Sequence, residues 1–111
     1  MKEITIREIK QDLKDIRYYY SRKKALDEGF RSIGYNEVVK KSEIYNELIK
    51  TASPELFDLY FALYINNHTQ DSWSDSMCIA RETVNVMNKR LLQYFLKKLR
   101  ELKGGEENES L

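Results

Sequence analysis

Cysteine, proline and histidine each occur only once in the 111 residues, at Cys78, Pro54 and His68. A lone cysteine cannot form a disulfide within the chain, which excludes a disulfide-stapled scaffold and indicates a reducing, cytoplasmic setting. A zinc site usually takes about four nitrogen or sulfur ligands, so Cys78 and His68 are too few to build one. We therefore expect neither a metal nor another cofactor.

Long apolar runs are also missing. The first residues, MKEITIREIKQDLKDIR, have no apolar signal-peptide core. No run approaches the roughly 18–20 apolar residues of a membrane span. The sequence has no glycine-rich phosphate loop, no nucleophile elbow and no convincing pair of carboxylates for acid–base catalysis. We predict no membrane contact, no catalytic residues and no enzyme activity.

Charged and aromatic side chains are abundant instead. They make up 33% and 12% of the chain, which suits a small helical protein with a solvated surface and argues against disorder. The length predicts one modest core. The formal net charge is only +1, but residues 81–103 hold seven Lys or Arg and only two acids. A local basic excess of this kind indicates a phosphate-binding surface, or a solvated helix face whose cations favour the helix dipole.

Apolar residues recur at spacings of three and four along four segments, as in helices with one buried face. No segment alternates as a strand would, so the sequence predicts an all-α fold. The four stripes are Ile6, Ile9, Leu13, Ile16 and Tyr20; Tyr35, Val38, Ser42, Tyr45, Leu48 or Ile49, and Ala52; Leu56, Leu59, Tyr60 and Leu63; and Val84, Met87, Leu91, Phe95 and Leu99.

The chain divides into three predicted parts. Residues 1–52 hold the first two stripes and form a helical hairpin for self-association or partner contact, packed on the rest of the chain or paired with another copy. Residues 53–103 form a second unit, whose first helix is capped by Ser53 and has Pro54 at its first position. Gly104 and Gly105 end the last helix, and residues 104–111 form an acidic, disordered tail.

The run TQDSWSDSMCIARETV breaks the helical rhythm and then resumes it. Two helices joined by a turn of three or four residues, a helix-turn-helix, produce such a break. The motif needs an apolar and a small residue where the helices cross, here Trp73 and Ser74. An apolar residue, Met77, closes the first helix, and a small residue, Cys78, stands at the turn. The apolar Ile79 then packs inward, and Val84 and Met87 anchor the second helix one turn apart.

This run resembles the helix-turn-helix of sigma-factor region-4 domains, and the likeness extends over residues 53–102. Cys78 stands where that pattern has glycine, and Ala80 where it has serine. Glycine permits a left-handed backbone, so a cysteine at this position strains or reshapes the turn. The side chain of Cys78 is expected to be small and buried.

The whole layout is similar to small phage transcription regulators of the ArpU/RinA kind. The resemblance implies sequence-specific binding to double-stranded DNA, a role in phage or prophage transcription, and RNA polymerase as a second partner. A homodimer would double the phosphate contacts and contact two half-sites.

In such a module the second helix enters the major groove with its N-terminal residues at base edges. Arg81 then pairs with guanine, Asn85 with adenine and Glu82 with a cytosine amine. The side chains of Lys89 and Arg90, and of Thr69 and Gln70 at the start of the first helix, contact phosphates instead. The predicted DNA-binding residues are Thr69, Gln70, Arg81, Glu82, Asn85, Lys89 and Arg90, each of which an ordinary solvated surface residue also explains.

Two other functions remain open from the sequence. A phage DNA-packaging component resembling a small terminase subunit also combines a helix-turn-helix with helical oligomerisation segments, and it would form a ring of many subunits. A helical adaptor that never binds DNA would use the motif only for packing. The adaptor hypothesis predicts that the outward positions of the second helix are buried against the N-terminal hairpin.

Overall fold

The computed structural model describes residues 4–23 and 33–109, with side chains for residues 4–23 and 37–102. These ranges contain five α-helices and no strand, which confirms the predicted all-α class. The helices are α1 (Ile6–Ser21), α2 (Ile33–Leu48), α3 (Pro54–Tyr60), α4 (Gln70–Met77) and α5 (Arg81–Glu109), with a 3-10 turn at Ile49–Thr51 and a π-helical turn at Phe61–Ile65.

Local capping explains where α1 and α3 begin. Thr5 accepts a hydrogen bond from the backbone N–H of Glu8, and Ser53 accepts one from the N–H of Leu56. Each side chain satisfies a donor that the first turn of a helix leaves without an intrahelical acceptor. Pro54 occupies the first turn of α3, where its missing N–H costs no hydrogen bond, so the predicted start of this helix is confirmed.

The predicted stripes form one shared core. α1 packs on α2, on the π-helical turn and on α5, and α3 also packs on α5. The two predicted units, residues 1–52 and 53–103, therefore do not bury separate cores. The core side chains are Ile9, Leu13, Ile16, Tyr45, Ile49, Leu59, Tyr60, Leu63, Val84, Leu91, Leu92, Phe95 and Leu96. Of the second stripe, the side chain of Tyr35 lies outside the described residues.

Arg17 joins α1 to the end of the π-helical turn. Its guanidinium donates to the backbone carbonyls of Leu63 at 2.5 Å, His68 at 2.8 Å and Asn67 at 3.2 Å. The side chain of Asn67 returns a hydrogen bond of 3.2 Å to the carbonyl of Arg17. Asn67 has φ 59°, the left-handed conformation that reverses the chain after a helix. The chain therefore leaves the helix at Asn66 and Asn67.

The last helix runs further than predicted. α5 continues through Gly104 and Gly105 to Glu109, so the predicted end at the glycine pair, and the disordered tail from residue 104, are wrong for residues 104–109. A glycine inside a helix costs about 1 kcal/mol relative to alanine. Extending a helix already formed adds a backbone hydrogen bond per residue without a new nucleation cost, which offsets that penalty.

Buried tyrosines connect the helices through polar contacts. The hydroxyl of Tyr45 donates to Asp12 at 2.7 Å, and that of Tyr60 donates to Asn46 at 2.6 Å. Burial raises the pKa of Tyr45 and Tyr60 above 10, and for Tyr45 the Asp12 carboxylate raises it further. Burial lowers the pKa of Lys41, but Asp12 and Asp15, at 3.1 and 3.2 Å, outweigh that effect and raise the pKa overall.

These shifts predict that the protein loses stability in alkaline solution. In the unfolded chain a tyrosine ionises near pH 10, whereas folded Tyr60 keeps its proton above that pH. The folded state then binds more protons, so a rise in pH favours unfolding. We expect the free energy of unfolding to fall above about pH 10, by up to about 1.4 kcal/mol per pH unit for each such tyrosine.

Urea unfolding from pH 8 to 11.5, followed by circular dichroism, measures this slope. Tyr60→Phe should make the slope shallower. Tyr18→Phe is the matched control because the Tyr18 side chain is 60% exposed. An equal slope in wild type and Tyr60→Phe would contradict the assignment.

Candidate nucleic-acid interface

The segment predicted to bind DNA forms a corner of two helices, α4 and the first turns of α5, here called the α4–α5 corner (residues 69–90). α4 begins with a reciprocal capping box. Thr69 Oγ1 accepts from the N–H of Ser72 at 3.0 Å, and Ser72 Oγ accepts from the N–H of Thr69 at 3.1 Å. The pair satisfies two donors at once and sets where α4 starts. The hydroxyl hydrogen of Thr69 is not used in this box.

The turn between the helices spans residues 78–80. Cys78 has φ 55° and ψ 41°, the left-handed conformation. The N–H of Ile79 bonds to the carbonyl of Ser74 at 3.0 Å and that of Cys78 to Asp75 at 3.3 Å, which is the Schellman arrangement of a helix end. Cys78 thus adopts the backbone for which glycine is preferred. Its side chain is exposed, so the expected burial is wrong.

Small and apolar side chains hold the two helices together. Ser74 is buried, and its hydroxyl donates to the carbonyl of Asp71 at 3.0 Å, so this hydroxyl is not left unpaired. Val84 is fully buried, while Trp73, Ile79 and Met87 are partly buried against the core. Met77, expected to close α4 as an apolar contact, is 49% exposed instead. Burial of Ile79 after the turn provides the apolar contact at this helix end.

Arg81 is held by the beginning of α4. Its Nε donates to Asp71 Oδ1 at 2.6 Å, and Nη1 donates to Gln70 Oε1. Nη2 makes no hydrogen bond among the described residues. Asp71 and Arg81 both lie at the surface, and half of the Arg81 side chain is exposed, so their ion pair adds little stability. Its effect is to fix the direction of the guanidinium.

Four predicted residues lie exposed along the first turns of α5: Glu82, Asn85, Lys89 and Arg90. Helical geometry places Glu82, Asn85 and Lys89 on one face, with Arg81 and Arg90 at its opposite edges. Gln70 is half-buried, and Thr69 is exposed at the cap. The seven predicted residues therefore fall on one corner.

Val86 is a member of this face that the sequence prediction missed. It is 47% exposed and sits between the positions of Glu82 and Lys89. Val86 lies outside the predicted buried stripe of this helix, and the sequence prediction gave it no role. Val86 follows the buried Val84 by two residues, which places it about 160° around the helix from the buried side. This spacing could have identified Val86 as exposed.

Charge is distributed unevenly over the corner. α4 carries Asp71 and Asp75, both exposed, and no cation. On α5, the stretch from Lys89 to Arg100 carries five cations and no acid. This stretch is about 17 Å long at 1.5 Å per residue. The positive surface thus begins on the exposed face of the corner and continues along α5, away from α4.

Two classes of site find no support in the part of the chain that the structure describes. No group of three or more His, Cys, Asp or Glu side chains is arranged to hold a metal ion. None of the described helices combines the length and the hydropathy needed to cross a membrane.

Comparisons with protein-family models, with curated proteins and with solved structures find no match to this chain.

Strain at Cys78 gives a prediction for this corner. A Cβ in the left-handed region destabilises the folded state by about 1–2 kcal/mol, and glycine removes this cost. Glycine also gives the unfolded chain more conformational freedom, which offsets about 0.4–1 kcal/mol of the gain. Cys78→Gly should therefore raise the free energy of unfolding by roughly 1 kcal/mol. Urea unfolding monitored by circular dichroism measures the change.

Cys78→Ala is the control, because it removes the exposed thiol and keeps the Cβ. We expect its stability to stay within about 0.5 kcal/mol of wild type. If Cys78→Gly proved less stable than Cys78→Ala, the left-handed turn would be refuted.

Proposed function

We propose that this protein is a small DNA-binding transcription regulator, of phage or prophage type, that binds duplex DNA through the α4–α5 corner. The observation that carries the proposal is the exposed face of α5, where Asn85, Val86 and Lys89 project beside an oriented Arg81. A helix of about 10–12 Å diameter fits the B-DNA major groove, which is about 12 Å wide.

The side chains on this face match the chemistry of base edges. The Asn85 amide can donate to and accept from adenine, and the Glu82 carboxylate can accept from a cytosine amine. The Val86 methyl groups suit the methyl group of thymine. Because all three are exposed, DNA contact would require no rearrangement of the core.

Asp71 and Gln70 support a specific role for Arg81. They occupy Nε and Nη1 and leave Nη2 without a hydrogen bond in the described structure. A guanidinium already held in one direction loses less conformational entropy on binding a guanine or a phosphate. The Asp71 carboxylate also repels phosphates, so its place beside Arg81 favours base contact over backbone contact for this residue.

Other side chains of the corner contact phosphates. Lys89 and Arg90 are exposed on α5, and the unused hydroxyl hydrogen of Thr69 can be donated at the start of α4. Such contacts position a protein on the duplex without selecting its sequence. RNA polymerase remains a proposed second partner, resting on the likeness to sigma region-4 domains alone.

Exposure of the α5 face also bears on the alternatives. An adaptor that used the corner only for packing would bury the outward positions of α5 against α1 and α2, yet Glu82, Asn85 and Lys89 are exposed. The packaging hypothesis shares DNA binding and differs in assembly, since it requires a ring of many subunits. Molecular mass in solution therefore separates it from the regulator.

Loss of two cations from the corner tests duplex binding. We expect Arg81→Ala/Lys89→Ala to weaken affinity for a fluorescent duplex by more than about tenfold, and to lower the log–log salt slope by about 1 through loss of the phosphate contact of Lys89. Fluorescence anisotropy at two or more salt concentrations measures both. Arg7→Ala/Lys14→Ala is the matched control, because it removes an exposed arginine and an exposed lysine from α1. Equal losses in the two double variants would show only a dependence on net charge and would count against the corner.

Sequence preference tests the base contacts separately. Selection from a pool of randomised duplexes should yield a consensus for the wild type. Asn85→Ala should relax the preference at one base pair by about 1–3 kcal/mol, since it removes an amide from the groove-facing positions. Gln93→Ala is the control, an exposed amide two turns further along α5. An unchanged consensus in Asn85→Ala would exclude the proposed contact.

A further inference from the structure

An apolar groove lies between α2 and the far end of α5, away from the α4–α5 corner. Ile44 on α2 is 49% exposed and Leu102 on α5 is 50% exposed. Leu48 adds a half-buried apolar surface between them. Charged side chains rim the groove, and the full lining is Lys40, Glu43, Ile44, Glu47, Leu48 and Leu102.

The charges on α2 are arranged around Ile44 in a self-complementary order. Lys40 lies four residues before Ile44, and Glu47 lies three residues after it. At 100° per residue, Lys40 and Glu47 fall on the same flank of the helix, within about 20° of each other. Leu48 falls on the opposite flank, toward Leu102. One flank thus carries both signs of charge, and the other carries Leu48 together with Lys41, whose ammonium is paired with Asp12 and Asp15 on α1.

We propose that this groove binds a second copy of the same chain, with the two α2 helices antiparallel about a two-fold axis at Ile44. Antiparallel packing centred on Ile44 brings Lys40 of each copy opposite Glu47 of the other. The two-fold places the flanks of Lys40 and Glu47 together and the flanks of Leu48 together. A two-fold interface is isologous, so one patch must complement itself, as this one does.

Existing contacts do not oppose this pairing. Glu47 bonds to Lys50 at 2.9 Å, with both side chains more than 60% exposed. An exposed pair of this kind contributes about 0–1 kcal/mol, so Glu47 can exchange or share its partner at little cost. Glu43 lies further round the helix, at the rim, where water screens its charge.

The proposal does not depend on DNA binding, because it uses neither the corner nor its cations. Dimer formation and duplex binding are measured separately, so either can fail alone.

The first experiment compares two equally exposed apolar residues. Multi-angle light scattering of the wild type at about 10–200 µM should give the mass of a dimer at the upper concentrations. Ile44→Glu should reduce the protein to a monomer of 13.3 kDa. Val86→Glu, from a residue that is 47% exposed on the other surface of α5, should leave the mass unchanged. Circular dichroism shows whether both variants keep the helical content.

The second experiment exchanges the charges. Lys40→Glu alone and Glu47→Lys alone should each weaken dimerisation by about tenfold, since each replaces two symmetric attractions with repulsions. The double variant Lys40→Glu/Glu47→Lys restores opposite charges and should regain most of the affinity. A loss caused by damage to the fold would not be rescued in this way.

A monomeric wild type at 200 µM, a ring of more than two subunits, a dimer that survives Ile44→Glu, or no rescue in the double variant would each overturn the proposal.

Discussion

The contact between Arg17 and the end of the π-helical turn is the constraint on which the rest of the structure depends. The last carbonyls of any helix lack intrahelical donors, and burying them unpaired costs about 1–3 kcal/mol each. Arg17 donates to one such carbonyl, at Leu63, and also to the carbonyls of Asn67 and His68 in the loop that follows the helix. It does so from α1, so the first helix in the chain anchors the loop that leads into α4.

The position of the corner follows from this anchor. His68 directly precedes the capping residue Thr69, so the fixed carbonyls and the capping box together determine where α4 starts. The left-handed Cys78 then determines where α4 ends and α5 begins. Val84 and Ser74 close the contact between the helices. The direction of Arg81 is therefore a consequence of backbone contacts that begin on α1.

Local patterns were enough to predict much of this. Spacing identified the buried faces, and Ser53–Pro54 identified a helix start, because both depend on residues within a few positions of each other. The ion pair of Arg81 with Asp71 joins residues ten apart across a turn, and Arg17 joins residues about fifty apart. Neither contact has a signature in local spacing. Gly104 misled because glycine weakens a helix without ending it.

α5 connects the two proposed surfaces. Its buried residues Val84, Leu91 and Phe95 belong to the shared core, so the helix is held over several turns and the two surfaces move together. From Arg81 to Leu102 the rise is about 32 Å. A two-fold at α2 would thus place two α4–α5 corners at opposite ends of one rigid body. In such a dimer the spacing of the DNA half-sites is set by the packing of α2, and not by a flexible linker.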